Sequence, residues 1–182
     1  MGKIVKKFKL NNKEVIFRYP KIEDVNSLLK LINSLVKEKA YISVQKKQTP
    51  KKEMYWLFEK LKRIDTKRNI ILLLEIEGEI KGLSEIERFS RVIPGSHIGE
   101  LEIILSEDIR REGFGKFFLT TIIKEAKKIL KIKIIFIDVA KSNKIALNFY
   151  QKFGFRIVGK IRRGFKHYGK YLDDIILVKY LK

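Results

Sequence analysis

Arg110-Arg111-Glu112-Gly113-Phe114-Gly115-Lys116 stands between an apolar run ending at Leu105 and a helical stripe opening at Phe114, and this stretch decides the fold. Its two glycines let the backbone turn tightly and come close to a ligand, while the first-turn N–H groups of the helix stay unpaired and point outward. Unpaired donors at the positive end of a helix dipole favour an anion, and Arg110, Arg111 and Lys116 add charge. Two other phosphate loops do not fit: no Lys-Ser/Thr pair completes a Walker pattern, and only two of the three Rossmann glycines are present. Arg-x-x-Gly-x-Gly is a common spacing by itself; its weight comes from lying directly between a strand and a helix.

Working upstream, residues 97–105, 79–89 and 69–76 are β-rich runs separated by the turn signals Pro94-Gly95 and Glu77-Gly78, which predicts an antiparallel meander. Before them, Met54, Leu57, Phe58 and Leu61 recur at helical spacing after Pro50, with Tyr55 and Trp56 off the stripe as packing aromatics or the lining of a substrate mouth. Ile22, Val25, Leu28, Leu29, Ile32, Leu35 and Val36 predict another amphipathic helix, opened by Pro20 and by Glu23 and Asp24. The chain starts with two short strands, 4–10 and 14–19, around an Asn11-Asn12 turn. Downstream of the glycines, the stripe from Phe114 through Phe117, Phe118, Thr121, Ile122, Ala126 and Ile129 is helical. Residues 132–139 form a nearly continuous apolar run, as a strand buried on both faces and parallel to its predecessor would. Ser142 is a plausible N-cap for a short helix to Lys152, and strands 155–161 and 171–181 close the chain. The order ββ-α-α-β-β-β-α-β-α-β-β describes an α/β protein, a mixed sheet with helices on both faces.

A chain of 182 residues suits one domain, 1–182, and its 45% hydrophobic and 34% charged residues are those of an ordinary globular protein. No apolar stretch is long enough to cross a bilayer and no signal peptide opens the chain, so a cytoplasmic location is expected. Without cysteine, and with only two histidines, His97 and His167, the chain lacks thiol chemistry and the usual zinc ligands. No metal is expected, and carboxylates, hydroxyls and backbone must carry any catalysis. Abundant Lys and Ile with few Met suggest a thermophile. The net charge of +20 fits an anionic ligand, nucleic acid or a solvated lysine surface.

Arg110, Gly113 and Gly115 between strand and helix, together with the element order, resemble the signature of the GNAT (GCN5-related) N-acetyltransferase superfamily. A second block, Asn143, Ala146, Tyr150, Gly154 and Phe155, is similar to the family's Asn-x-x-Ala-x-x-x-Tyr-x-x-x-Gly-Phe pattern, and residues 17–24 resemble its opening. The tail from Gly164 to Asp173 resembles the subgroup of phosphinothricin-type and related amino-acid N-acetyltransferases. The resemblance implies the GNAT fold: a mostly antiparallel seven-stranded sheet with a central parallel strand pair. It also implies acetyl-CoA as the acetyl-donor cosubstrate and direct attack by an amine in a ternary complex. The backbone of Arg110, Arg111, Glu112, Gly113, Phe114, Gly115 and Lys116 would cradle the pyrophosphate. Ile103, Ile104 and Leu105 would lie along the pantetheine arm, with a backbone N–H there stabilising the oxyanion. Asn143 would bond the pantetheine or order water.

An alkylamine of pKa ~10.4 is protonated at neutral pH, so a base must take its proton before it attacks. Glu100 and Glu102, two apart, share one face of their strand. Family register places the usual glutamate at Glu100, with Glu102 as the alternative, and Tyr150 matches the tyrosine that reaches toward the departing sulfur. Outside the resemblance, the same residues read as a solvated strand face, a core tyrosine and a helix-start asparagine; the histidines read as structural or substrate-side.

The expected acceptor is a small amine or amino acid. The alternatives are a protein N-terminus or lysine on ribosomal or DNA-associated proteins. A cationic surface favours an amino acid's carboxylate over a polyamine, an order that an acidic pocket would reverse. A different class, a nucleic-acid-binding module, finds support in the basic, aromatic-interleaved residues 162–170, but nucleic acid is not expected as the primary partner. A CoA-binding sensor is a third class, disfavoured by intact Glu100, Asn143 and Tyr150. The final hairpin offers an exposed edge for a homodimer.

Overall fold

The computed structural model describes residues 2–89 and 97–181, so the Pro94-Gly95 turn lies outside the described residues. Strands β1 (Ile4–Leu10) and β2 (Lys13–Arg18) meet at Asn11 and Asn12, both left-handed (φ 52° and 61°), as a two-residue hairpin turn requires. Helices α1 (Val25–Lys37) and α2 (Pro50–Asp65) follow, the latter capped by Thr49 with proline in its first turn. Strands β3 (Asn69–Ile76), β4 (Glu79–Arg88) and β5 (Ile98–Leu105) form the expected meander. Next come α3 (Phe114–Glu125), which runs into a π-helical turn to Leu130, β6 (Ile134–Ala140), α4 (Lys144–Lys152), β7 (Arg156–His167) and β8 (Lys170–Tyr180).

All strands join one sheet in the order β1-β2-β3-β4-β5-β6-β8-β7. Its single parallel pair is β5–β6, and every other neighbour runs antiparallel. The sheet has eight strands where the family resemblance implied seven, because the N-terminal hairpin places β1 beside β2 at the edge.

Successive residues of β2 show that helices cover both faces. Phe17 packs on Phe118 of α3 (ring centroids 5.1 Å apart), whereas the next side chain, Arg18, points the other way to Asp24 at the entry of α1. That guanidinium gives Asp24 two bonds of 2.8 and 2.9 Å and reaches Glu75 at 2.7 Å, a buried paired charge that ties α1 to the sheet. In β3, covered on both faces, Ile70 to Leu74 are all buried.

Several elements differ from the sequence expectations. Helix α1 starts at Val25 after a 3₁₀ turn, and Ile22 is exposed. Helix α2 is rotated: Met54 and Phe58 face out, while Glu53, Leu57 and Ile64 are buried. Its inward face carries charged side chains, which apolar periodicity assigns to solvent. Asn143, not Ser142, caps α4, accepting the Ala146 N–H at 3.2 Å. Strand β7 continues past Ile161 to His167, closed by the left-handed Tyr168-Gly169 turn. Arg162 and Arg163 hide this extension, because a face open to solvent needs no apolar alternation.

Candidate active site

On its β4 side, β5 is paired throughout, from Gly99 opposite Arg88 to Leu105 opposite Gly82. On its β6 side the parallel register ends at Glu100 opposite Phe136, while β6 continues along β8 as far as Ala140 opposite Asp174. The two central strands part beyond Glu100. A cavity of about 350 Å³ opens there, bounded by residues 100–104, residues 137–140, and Asn143, Ala146 and Tyr150 of α4.

The backbone direction along this gap follows from alternation. The Glu102 carbonyl accepts from Ser84 Oγ at 3.1 Å and the Ser106 N–H donates to Lys81 O at 2.8 Å, so even-numbered residues face β4. The backbone groups of Ile103 and Leu105 therefore turn into the gap. Ile104 pairs with Leu83 and reaches the cavity through its side chain.

Glu100 and Glu102 both border the cavity, where the meander sets them opposite Glu87 and Glu85. Asp138 brings the lining carboxylates among the described residues to five, Glu85, Glu87, Glu100, Glu102 and Asp138, against one described cation, Lys60. Lys60 lies 2.6 Å from Glu85 and 3.0 Å from Glu87, and among the described residues no cation contacts Glu100 or Glu102. Surrounding protein pushes the Glu102 carboxyl up to about 7, with Glu85, Glu100 and Asp138 adding repulsion and Lys60 opposing it. Glu102 stays open to the cavity even so, since the crowding comes from the strand walls on either side. Burial, then Asp138 and Glu87, also raise Glu100. Tyr150 is 5% exposed, and burial, then the Glu102 charge, raises its pKa. Its hydroxyl has no hydrogen-bond partner among the described residues and borders the cavity. Asn143 spends Oδ1 on its helix cap, and its Nδ2 has no acceptor among the described residues.

At the far end of β5, Arg110, Arg111, Gly113 and Lys116 are exposed and Phe114 is buried as an anchor. Arg111 and Gly113 adopt left-handed φ of 68° and 92°. Among the described residues the N–H groups of Arg111 to Gly115 find no backbone acceptor. Glu112 is drawn to the first hairpin by Lys13 (3.1 Å), and Asn11 donates to its carbonyl (3.2 Å). The Arg110 guanidinium lies on the Leu105 carbonyl (2.8 Å) and on Glu38, fixing the end of β5 instead of standing free for an anion. Neither backbone nor packing requires glycine at Gly115: a Cβ there would meet Phe149 at 3.5 Å and Leu105 at 3.6 Å, ordinary contacts.

Tyr41, Ile42, Ser43 and Phe165 roof the cavity. The connection between α1 and α2 is strapped to the tip of the last hairpin. His167 Nε2 lies 3.0 Å from Lys39 O, Tyr168 Oη donates to Val36 O at 2.9 Å, and the Tyr168 N–H donates to Gln45 Oε1 at 2.7 Å. His167 is thereby stacked on Tyr41, which lines the cavity. Trp56 lines a smaller adjoining cavity, while Tyr55 is exposed.

Sequence reasoning missed Lys60, Glu85, Glu87 and Asp138. A signal for the glutamates was present: Glu-x-Glu occurs in both β4 and β5, and an antiparallel meander brings such pairs onto one face. Among the described residues no group of three His, Cys, Asp or Glu is placed to hold a metal, and no helix is long and apolar enough to cross a membrane.

A mixed sheet with one central parallel pair beside a glycine-opened helix is the architecture that the family resemblance implied. Residues 17–176 match the Acetyltransferase (GNAT) domain family, and the chain belongs to it as an acetyltransferase. An N-alpha-acetyltransferase of Sulfurisphaera tokodaii is 24% identical over 159 residues, covering 82% of this chain and 85% of that protein. Among solved structures, the ribosomal-protein-alanine N-acetyltransferase of Brucella melitensis superposes with TM-score 0.80 at 22% identity, covering 91% of this chain and 99% of that one. The microcin C7 self-immunity acetyltransferase, solved with acetyl-CoA and AMP, gives TM-score 0.78 at 16% identity, covering 94% of each chain.

Proposed function

We propose that the chain transfers the acetyl group of acetyl-CoA to a primary amine with no carboxylate beside it, a peptide α-amino terminus before a free amino acid. The observation carrying this is the parting of β5 from β6 beyond Glu100, with Glu102 and Tyr150 on the cavity that results. Five carboxylates against one lysine draw in a cationic amine and repel the carboxylate of an amino acid, reversing the preference expected from the net charge. The relative from Sulfurisphaera, an N-alpha-acetyltransferase, is in keeping with that acceptor.

Acetyl-CoA supplies the acetyl thioester. The free N–H groups of Arg111 to Gly115 hold its pyrophosphate at the start of α3, where the helix dipole favours negative charge. Asn143 Nδ2 and the gap-facing backbone of Ile103 and Leu105 position the pantetheine arm, and the Ile103 N–H donates to the carbonyl oxygen as charge develops there. Glu102, pushed up to about 7, takes the amine's proton directly or through one water, and a base with that pKa is matched to neutral pH. Glu100, one step deeper where the strands still pair, keeps the proton path acidic and assists. Tyr150, held protonated by its raised pKa, donates to the departing sulfur.

Residues 162–170 form the end of the last hairpin, where Phe165 lines the acceptor cavity and His167 and Tyr168 hold the α1–α2 connection over it. Exposed Ile157, Val158 and Ile161 on the edge strand β7 support a homodimer. Thiol release from acetyl-CoA, measured against amines, free amino acids and short peptides, tests the proposal. Turnover with peptides and simple amines and little with free amino acids is expected. Turnover confined to free amino acids would overturn the acceptor assignment.

A further inference from the structure

A second cavity of about 130 Å³ opens off the first between α1, α2 and the sheet, and the two share Ser43, Glu102 and Ile104. Leu28, Leu31, Trp56 and Leu83 belong to its apolar wall, and Ser43, Gln48, Lys52, Glu53 and Glu102 form its polar side. Glu53 is 7% exposed, and its carboxylate has no hydrogen bond or ion pair among the described residues. Burial pushes its pKa up with no partner to offset the shift. A glutamate in the first turn of α2 would complement the helix dipole equally well from the solvent side. Its burial against an apolar wall is therefore a cost that folding alone does not explain, since a buried carboxylate ordinarily has a partner. The missing partner would enter from the cavity.

We propose that this side cavity is the acceptor's side-chain subsite, and that Glu53 selects substituents consisting of a short apolar stem ending in a hydrogen-bond donor, a hydroxyl or an ammonium. The proposal rests on the acetyl-transfer function above: with the reacting amine at Glu102, which borders both cavities, the substituent has a direct path to Glu53. The stem packs on Leu28, Leu31 and Trp56, and the donor meets the carboxylate. An acceptor ending in a methyl group fills the same space but leaves Glu53 buried and unpaired.

The test uses one short peptide carrying four different first residues in two near-isosteric pairs: threonine against valine, and 2,4-diaminobutyrate against norvaline, with the acetylated nitrogen located by mass spectrometry. In the unaltered protein, kcat/KM should favour the donor-bearing member of at least one pair by about tenfold, the usual effect of leaving a buried polar group unpaired. Glu53→Met should abolish the preference. Glu53→Gln separates the two donors, keeping threonine over valine while losing diaminobutyrate over norvaline. Thermal unfolding serves as the second readout: Glu53→Met removes an unpartnered buried carboxylate and should unfold no lower than the unaltered protein. Ratios near one in both pairs, a preference that survives Glu53→Met, or a lowered melting temperature for that variant would each overturn the subsite. Thiol release equal for all four peptides rejects the subsite and leaves the transferase intact. No thiol release from any peptide, with release from simple amines, rejects the peptide acceptor and the subsite together.

Discussion

The outside of this protein and its transfer cavity carry opposite charge. The chain bears a net +20, yet among the described residues the cavity is lined by Glu85, Glu87, Glu100, Glu102 and Asp138 with Lys60 alone against them. A summed charge describes solubility and long-range attraction, whereas an acceptor is chosen within a few ångströms of the groups it meets, where screening by water is weakest. The lysine surface and the acidic cavity are thus separable, and substitutions should separate them.

The largest effect is expected inside the cavity. Glu102→Gln should lower kcat by about a hundredfold or more, the usual contribution of a general base. In the unaltered protein, kcat/KM should rise with pH through about 7 as Glu102 deprotonates, and the variant should lose that limb. The same group affects stability with a definite sign. Its folded pKa lies above the ordinary glutamate value, so its contribution is fully present at low pH and is lost as pH rises through about 7. The melting temperature of Glu102→Gln should therefore gain on that of the unaltered protein between pH 4 and pH 7, a range taken from about the two pKa values. Equal pH dependence of the two proteins would remove the strained carboxylate from the account.

A smaller loss, about tenfold in kcat, is expected for Tyr150→Phe, because one hydrogen bond to the leaving sulfur is removed while the ring still fills its buried place. Affinity for acetyl-CoA should hold steady in a titration. A weakened affinity with kcat unchanged would make Tyr150 a packing residue. The smallest effect belongs to the outer surface: Lys124→Glu with Lys128→Glu changes the net charge by four, yet both residues are exposed at the far end of α3 from its glycines. Acceptor kcat/KM should stay within about twofold, as distant surface charges are largely screened at physiological salt. A large change would mean that the surface takes part in acceptor choice.

The same division explains what the sequence disclosed. The glycine turn before α3 was legible because its geometry is local: Gly113 has a left-handed φ, and the unpaired amides follow from a helix starting there. Most elements were legible for the same reason, from the Asn11-Asn12 turn to the apolar run that becomes β6. The acidic cavity was not, because it is assembled from β4, β5, β6 and α2, and only the sheet register brings Glu85 beside Glu102. Helix α2 shows the point most sharply. Apolar periodicity put Met54 and Phe58 inward, whereas the fold buries Glu53 and places Lys60 on the cavity. Charged side chains turned inward broke the pattern that reveals structure. The ranking of Glu100 over Glu102 came from family register; what favours Glu102 is its place just beyond the last β5–β6 pair, which no residue type announces.

Hydrogen exchange at single-residue resolution, with and without acetyl-CoA, tests most directly whether the split between β5 and β6 holds the donor. Added protection should appear together at Ile103 and Leu105, whose amides face the gap, and at Arg111 to Gly115, with Ile104 already slow through its pairing to β4. Protection that leaves residues 103–105 unchanged, or that centres elsewhere on the sheet, would contradict it.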